Sequence, residues 1–165
     1  MRWHRYCVAH TLTGRQASGG HMNPSMVALH SHWLNADAVK VVINTALPVD
    51  ESYSSELQTL SQLHSSFRRI SVCYSLLYVV VEGYRELDST DEKVHSLLEQ
   101  HDFVDALRLF RNATFHYQKA PIPEKAMKFL ETENSENWIQ DLHVGFRRYF
   151  EQQLPIKETM EKLKA

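Results

Sequence analysis

Between residues 60 and 84, eight apolar side chains, Leu60, Leu63, Phe67, Ile70, Tyr74, Leu77, Val81 and Tyr84, recur at alternating spacings of three and four. That period places all eight on one stripe of an α-helix and is incompatible with the two-residue alternation of a strand. Between Ile70 and Val81 the stripe widens, because Val72, Cys73, Leu76, Val79 and Val80 join it. A helix apolar nearly all round must be surrounded by others. The pattern predicts a long central helix, from about Asp50 to Leu87, inside an all-α, up-and-down bundle.

The flanking sequence repeats the helical period, and glycine is almost absent from the element interiors. A first helix is predicted from about Ser25 to Leu47, stopped by Pro48, since proline disfavours helix in the residue before it. Ser89-Thr90-Asp91-Glu92 fits a capping box and starts a helix that runs to about Gln100. The next helix spans roughly Asp102 to Gln118, closed by Pro121 and Pro123. A short helix with Met127, Phe129 and Leu130 follows, with Pro123 as its first residue. The last long helix is capped near Ser135, carries a core stripe of Ile139, Leu142, Phe146 and Tyr149, and is interrupted at Pro155. Ile156, Met160 and Leu163 predict a short terminal amphipathic piece. The expected count is five to six helices.

At 165 residues and 43% hydrophobic content the chain can bury one sizeable core, so residues 23–165 are read as a single domain. Residues 1–22 lack any sustained period and end Gly19-Gly20-His21-Met22, as a leader or a cloning-derived segment would. They are set aside from the fold. A formal charge of −2 argues against broad coating of nucleic acid. Any such contact must come from a local patch, and Arg68-Arg69, Arg147-Arg148, Arg108 and Arg111 are the candidates. Cys7 and Cys73 are far apart, and the second lies in the most apolar helix, which argues against a disulfide framework. The run from Ile70 to Val81 is too short to span a bilayer, and the N-terminus lacks the apolar core of a signal peptide. The expected compartment is the cytoplasm, with no membrane partner.

The stretch that reads as chemistry is Arg111-Asn112-Ala113-Thr114-Phe115-His116. On a helical wheel Phe103, Leu107, Phe110, Thr114 and Tyr117 define the core face, while Asn112 and His116, four apart, stack on the opposite side. Arg108 and Arg111 flank that polar side. A lone helical histidine is more often a hydrogen-bonded structural residue than a catalyst. Here the wheel argues against a core role. Arginine offers a forked permanent cation for two phosphate oxygens, histidine exchanges a proton near neutral pH, and asparagine orients either one. Those groups suit a phosphodiester. RNA cleavage needs no metal, because the 2′-hydroxyl is a built-in nucleophile.

The string Leu107-Arg108-Leu109-Phe110-Arg111-Asn112-Ala113-Thr114-Phe115-His116 resembles the signature of the HEPN superfamily (higher eukaryotes and prokaryotes nucleotide-binding domain). Val80-Val81-Glu82-Gly83-Tyr84 and Asn134-Ser135-Glu136-Asn137-Trp138 are similar to one bacterial branch, so the likeness covers most of the chain from about residue 25. The resemblance implies a helical homodimer whose two motifs line one cleft and cut RNA without a metal. It also implies a toxin or defence effector, with an antitoxin as partner. Arg111 would hold the scissile phosphate, His116 would be the acid/base group and Asn112 the polar neighbour. Arg108, Tyr117 and Glu82 are the expected substrate-side residues. Relatives regulated by adenylylation often carry a tyrosine two residues after the histidine. Here Tyr117 is adjacent and Gln118 takes that place, which sets this chain apart from that mode of regulation.

Other constellations carry less. His30 and His32 face different directions, His95 and His101 lack partners at ligand spacing, and neither a metal nor a cofactor is expected. Glu82 and Arg85, three apart, read as an intrahelical ion pair, with a bond from Glu82 to a motif residue as the alternative. The competing functional reading is a non-catalytic HEPN-like module, for interaction or nucleotide binding, in which Arg111 and His116 hold a dimer together. An enzyme of an unrelated class finds no glycine-rich phosphate loop, Cys/His pair or zinc signature to support it.

Overall fold

The computed structural model describes residues 23–49, 51–120, 122–156, 158, 159 and 161. Residues 1–22, with Cys7, and the expected terminal positions Met160 and Leu163 lie outside the described residues. Within them the chain is an all-α bundle of six helices: α1 (Pro24–Val41), α2 (Ser55–Glu86), α3 (Glu92–Leu98), α4 (His101–Phe115), α5 (Glu124–Glu131) and α6 (Ser135–Gln153). None of the described helices is long and apolar enough to cross a membrane.

The central helix is where its pattern placed it. Leu77, Val80, Val81 and Tyr84 of α2 are fully buried, against Leu107 and Phe110 of α4, Phe129 of α5 and Leu142, Phe146 and Phe150 of α6. The aromatic rings interlock by tilted and edge contacts. Phe110 lies 5.9 Å from Tyr74 and 5.8 Å from Phe129, and Tyr84 lies 5.6 Å from Phe146, all centroid to centroid. The expected α6 stripe of Ile139, Leu142, Phe146 and Tyr149 is buried throughout. The α2 stripe is not. Leu60 and Leu63 are 62% and 65% exposed, because the first four turns of α2 extend past the helices that cover the rest of it.

The junction of the first and second helices differs from the sequence reading for a tertiary reason. The first helix stops at Val41 rather than Leu47. The β-branched run Val41, Val42, Ile43 and Thr45 is a weak helix former, and α2 captures its backbone. Arg69 Nη1 donates to the carbonyls of Val42 and Thr45, and Gln62 bonds both the N–H and the C=O of Leu47. The second helix accordingly begins at Ser55, capped by the Ser54 hydroxyl, and not near Asp50.

The capping box also shifts. Asp91, not Ser89, caps α3, its carboxylate accepting from the Val94 N–H at 2.9 Å. The Ser89 hydroxyl instead meets the Tyr149 hydroxyl at 2.7 Å, and Tyr84 Oη accepts from the Asp91 N–H. Arg148 pairs with the same Asp91 carboxylate at 3.2 Å, so one aspartate joins the ends of α2, α3 and α6. At the start of α6, Asn134 takes a left-handed φ of 64°, one that asparagine tolerates better than most residues.

α1 is tied to α6 by a buried histidine. His143 Nδ1 accepts from the Lys40 ammonium at 3.2 Å, its Nε2 lies 3.1 Å from Asp37 Oδ1, and Trp33 Nε1 donates to the His143 carbonyl. Burial holds the imidazole below its ordinary pKa, and Lys40 and Arg147 act in the same direction against the opposing Asp37. The native state therefore takes up a proton on His143 less readily than the unfolded chain, whose histidines titrate near pH 6.5. Stability should be complete above that value and fall as pH drops below it, because the unfolded state then binds more protons. Urea midpoints between pH 8 and 5 should decline in the wild type and decline less in His143→Gln; equal slopes would remove this histidine from the linkage.

Candidate functional site

α2 and α4 position the motif. His101, at the start of α4, borders the same surface hollow as Tyr84 and Arg85, and Phe110 has reached Tyr74, so α4 runs antiparallel to α2. Its buried face is Val104, Ala106, Leu107, Phe110 and Ala113. The residues between point sideways along α2. Arg111 is half-buried there, with Nη2 3.5 Å from Glu82 Oε2 of α2 and Nη1 donating to Asn112 Oδ1 at 3.1 Å. Glu82 thus reaches across to the motif and not to Arg85 along its own helix. The Arg111 Nε is buried without an acceptor, so the guanidinium keeps unspent donor capacity.

Tyr78 is the residue the sequence reading missed. It is buried one turn before Glu82, and burial raises its phenol above the ordinary value, with the Glu82 carboxylate adding to the rise and Arg108, Arg85 and Arg111 opposing it. The phenol thus feels the charge of three arginines. The signal was present in the spacing: positions 78, 82 and 85 form a row along one face of α2 inside its most apolar segment. Arg108 itself is exposed and pairs with Asp105 at 3.4 Å.

The wheel fails at the end of the motif. The helix terminates at Phe115, three residues earlier than expected, and His116 is its C-cap with an extended backbone, φ −109° and ψ 149°. Its N–H still bonds the Asn112 carbonyl at 3.2 Å, and its own carbonyl accepts from Gln118 Nε2. The ring does not stack on Asn112 along a helical face. It leaves the helix axis and is exposed, joined by no hydrogen bond to Arg111 or Asn112 among the described residues. Tyr117, which the wheel put on the core face, is 91% exposed for the same reason. Pro121 and Pro123 forbid continuation only from farther on, and β-branched Thr114 beside aromatic Phe115 and His116 is a weak end for a helix.

The structure so unites Glu82, Arg111, Asn112 and Tyr78, and sets His116 and Tyr117 on the surface beyond them. Exposed Phe115 and Ile122 flank that surface. Among the described residues no three His, Cys, Asp or Glu side chains gather as metal ligands would. Comparison of the chain with protein-family models, with curated proteins and with solved structures finds no match in any of the three.

Proposed function

We propose that this protein is a metal-independent RNA endonuclease of the HEPN type, acting as a homodimer in the cytoplasm. The observation that carries this reading is a half-buried, pre-oriented Arg111 followed five residues on by an exposed His116 just past the end of α4. Glu82 and Asn112 fix the guanidinium, which lowers the entropy lost when it grips a phosphate. His116 is free to approach a substrate. In the reaction the 2′-oxygen attacks the adjacent phosphorus, its proton passes to a neutral imidazole, and the 5′-oxygen leaves with a proton from an imidazolium. One histidine cannot be base and acid in the same instant. Two copies of His116 facing one cleft can.

The dimer has its own support. Phe115, Tyr117 and Ile122 around the motif, and Leu57, Leu60 and Leu63 on α2, are large apolar side chains left in water. Exposed apolar clusters of this kind mark interaction surfaces. Light scattering at micromolar concentration should give twice the chain mass, and a strict monomer would dissolve the two-histidine scheme. Cleavage is tested directly: purified protein with single-stranded RNA and EDTA should yield fragments, while DNA of the same sequence stays whole. Failure to cut any RNA refutes the reading. The family likeness further implies a toxin or defence effector, with an antitoxin to restrain it.

A second reading has one observation in its favour. Arg111 is already engaged by Glu82, as it would be in a non-catalytic module where this ion pair serves the packing of α2 against α4. That module would form the dimer and bind a nucleotide or protein partner, and it would leave RNA intact.

A further inference from the structure

A second hollow lies away from the motif, where the end of α1, the middle of α2 and the start of α6 enclose about 270 Å³. Its floor is buried and apolar, built by Cys73, Leu77 and Ile139 with Ile70 beside them. Its rim is polar, and the two walls carry opposite charge. Lys40 and Asn44 come from α1 and the turn after it, while Glu136 and Gln140, one turn apart, come from α6. The charges also separate along the floor. Burial pushes the Cys73 thiol up to about 11, with Lys40 opposing the rise and Asp37 adding to it, and burial pushes the Tyr74 phenol up to about 12, with Glu136 adding to it.

The polar groups on the rim retain capacity for a ligand. The Lys40 ammonium has three donors and gives one to His143 Nδ1. Glu136 receives only a long bond of 3.4 Å from Gln140 Nε2. His143, which also lines the hollow, is more than nine-tenths buried and already engaged, its Nδ1 by Lys40 and its Nε2 by the Asp37 carboxylate 3.1 Å away.

Size and charge together select the occupant. Ligand pockets usually enclose roughly 300 to 1,000 Å³, so this one, just below that range, suits a small molecule on the order of ten heavy atoms. A simple anion would leave Glu136 facing it, and a simple cation would face Lys40. A zwitterion with an apolar body satisfies both walls and the floor. We propose that this cavity binds a small apolar α-amino acid. Its carboxylate lies on Lys40 and Asn44, its ammonium on Glu136 and Gln140, and its side chain on the floor between Ile70 and Ile139. None of these residues belongs to the Arg111–His116 site, so the proposal stands apart from the nuclease reading.

The test is a titration of the full chain with L-leucine and L-phenylalanine, followed by methyl NMR at Ile70 and Ile139 and by the melting temperature. Saturable shifts and a raised melting temperature are expected with at least one of the two. The matched 4-methylpentanoate, lacking the ammonium, and isoamylamine, lacking the carboxylate, should each bind at least about tenfold more weakly than leucine, the usual worth of a charge-assisted bond. Lys40→Met and Glu136→Gln should each cost a similar factor. Lys40→Met also takes the ammonium away from buried His143, whereas Glu136 is exposed and Glu136→Gln leaves the Lys40–His143 contact alone, so that variant reads binding apart from the fold. No saturable shift with either amino acid, equal binding of the one-charge analogues, or wild-type affinity in both variants would overturn the assignment.

Discussion

His116→Ala should lower the rate of RNA cleavage by about 10² to 10⁴, the usual contribution of a positioned proton-transfer group. Its circular dichroism and dimer mass should match the wild type, because the ring is exposed beyond the end of α4 and no hydrogen bond among the described residues ties it to the core. Arg111→Ala should cost cleavage on the same scale, with some stability lost as well, since Glu82 and Tyr78 would then lack the guanidinium beside them. Arg111→Lys separates the two effects. It keeps the charge against Glu82 but loses the fork that grips two phosphate oxygens, so stability should recover while activity stays low. Asn112→Ala should reduce the rate less, as Asn112 acts on the substrate through Arg111. Full activity in His116→Ala would remove that histidine from the chemistry, and an inactive wild type would leave the packing role of Arg111 as the better account.

Phe110→Ala should destabilise the bundle by about 3 to 5 kcal/mol, the range for deleting a fully buried aromatic side chain. Phe110 is inaccessible to water and packs against the rings of both Tyr74 and Phe129, so its loss opens a cavity shared by α2, α4 and α5. Urea denaturation measures it. Tyr117→Ala is the contrast, because the same helical wheel had placed both residues on the core face. With Tyr117 in water, its removal should change monomer stability by less than about 0.5 kcal/mol. A loss that grows on dilution would instead place Tyr117 in the dimer contact. Comparable intrinsic losses in the two variants would contradict the early end of α4.

The element types, the central place of α2 and the α6 stripe were legible in the sequence because a buried helix must repeat its apolar residues at helical spacing, whatever surrounds it. The grouping of Arg111 with Asn112 was legible as well, being local to one turn. The chemical reading of the motif came from the same string and from its resemblance to a family. Other features depended on contacts between distant parts of the chain. Residues 42 to 47 are drawn off the helix by Arg69 and Gln62, fifteen or more residues away, against which local propensity weighs little. Asp91 displaces Ser89 as a cap because Tyr149 takes the serine hydroxyl. Leu60 and Leu63 lie on the apolar stripe yet face water, since a period tells which face is apolar and not how far the covering helices reach. The choice of Glu82 for Arg111 over Arg85, the hidden Tyr78 and the turning of His116 out of its helix belong to the same class. Sequence periodicity specifies what each helix presents, and only the packing of α4 against α2 decided which of those groups meet.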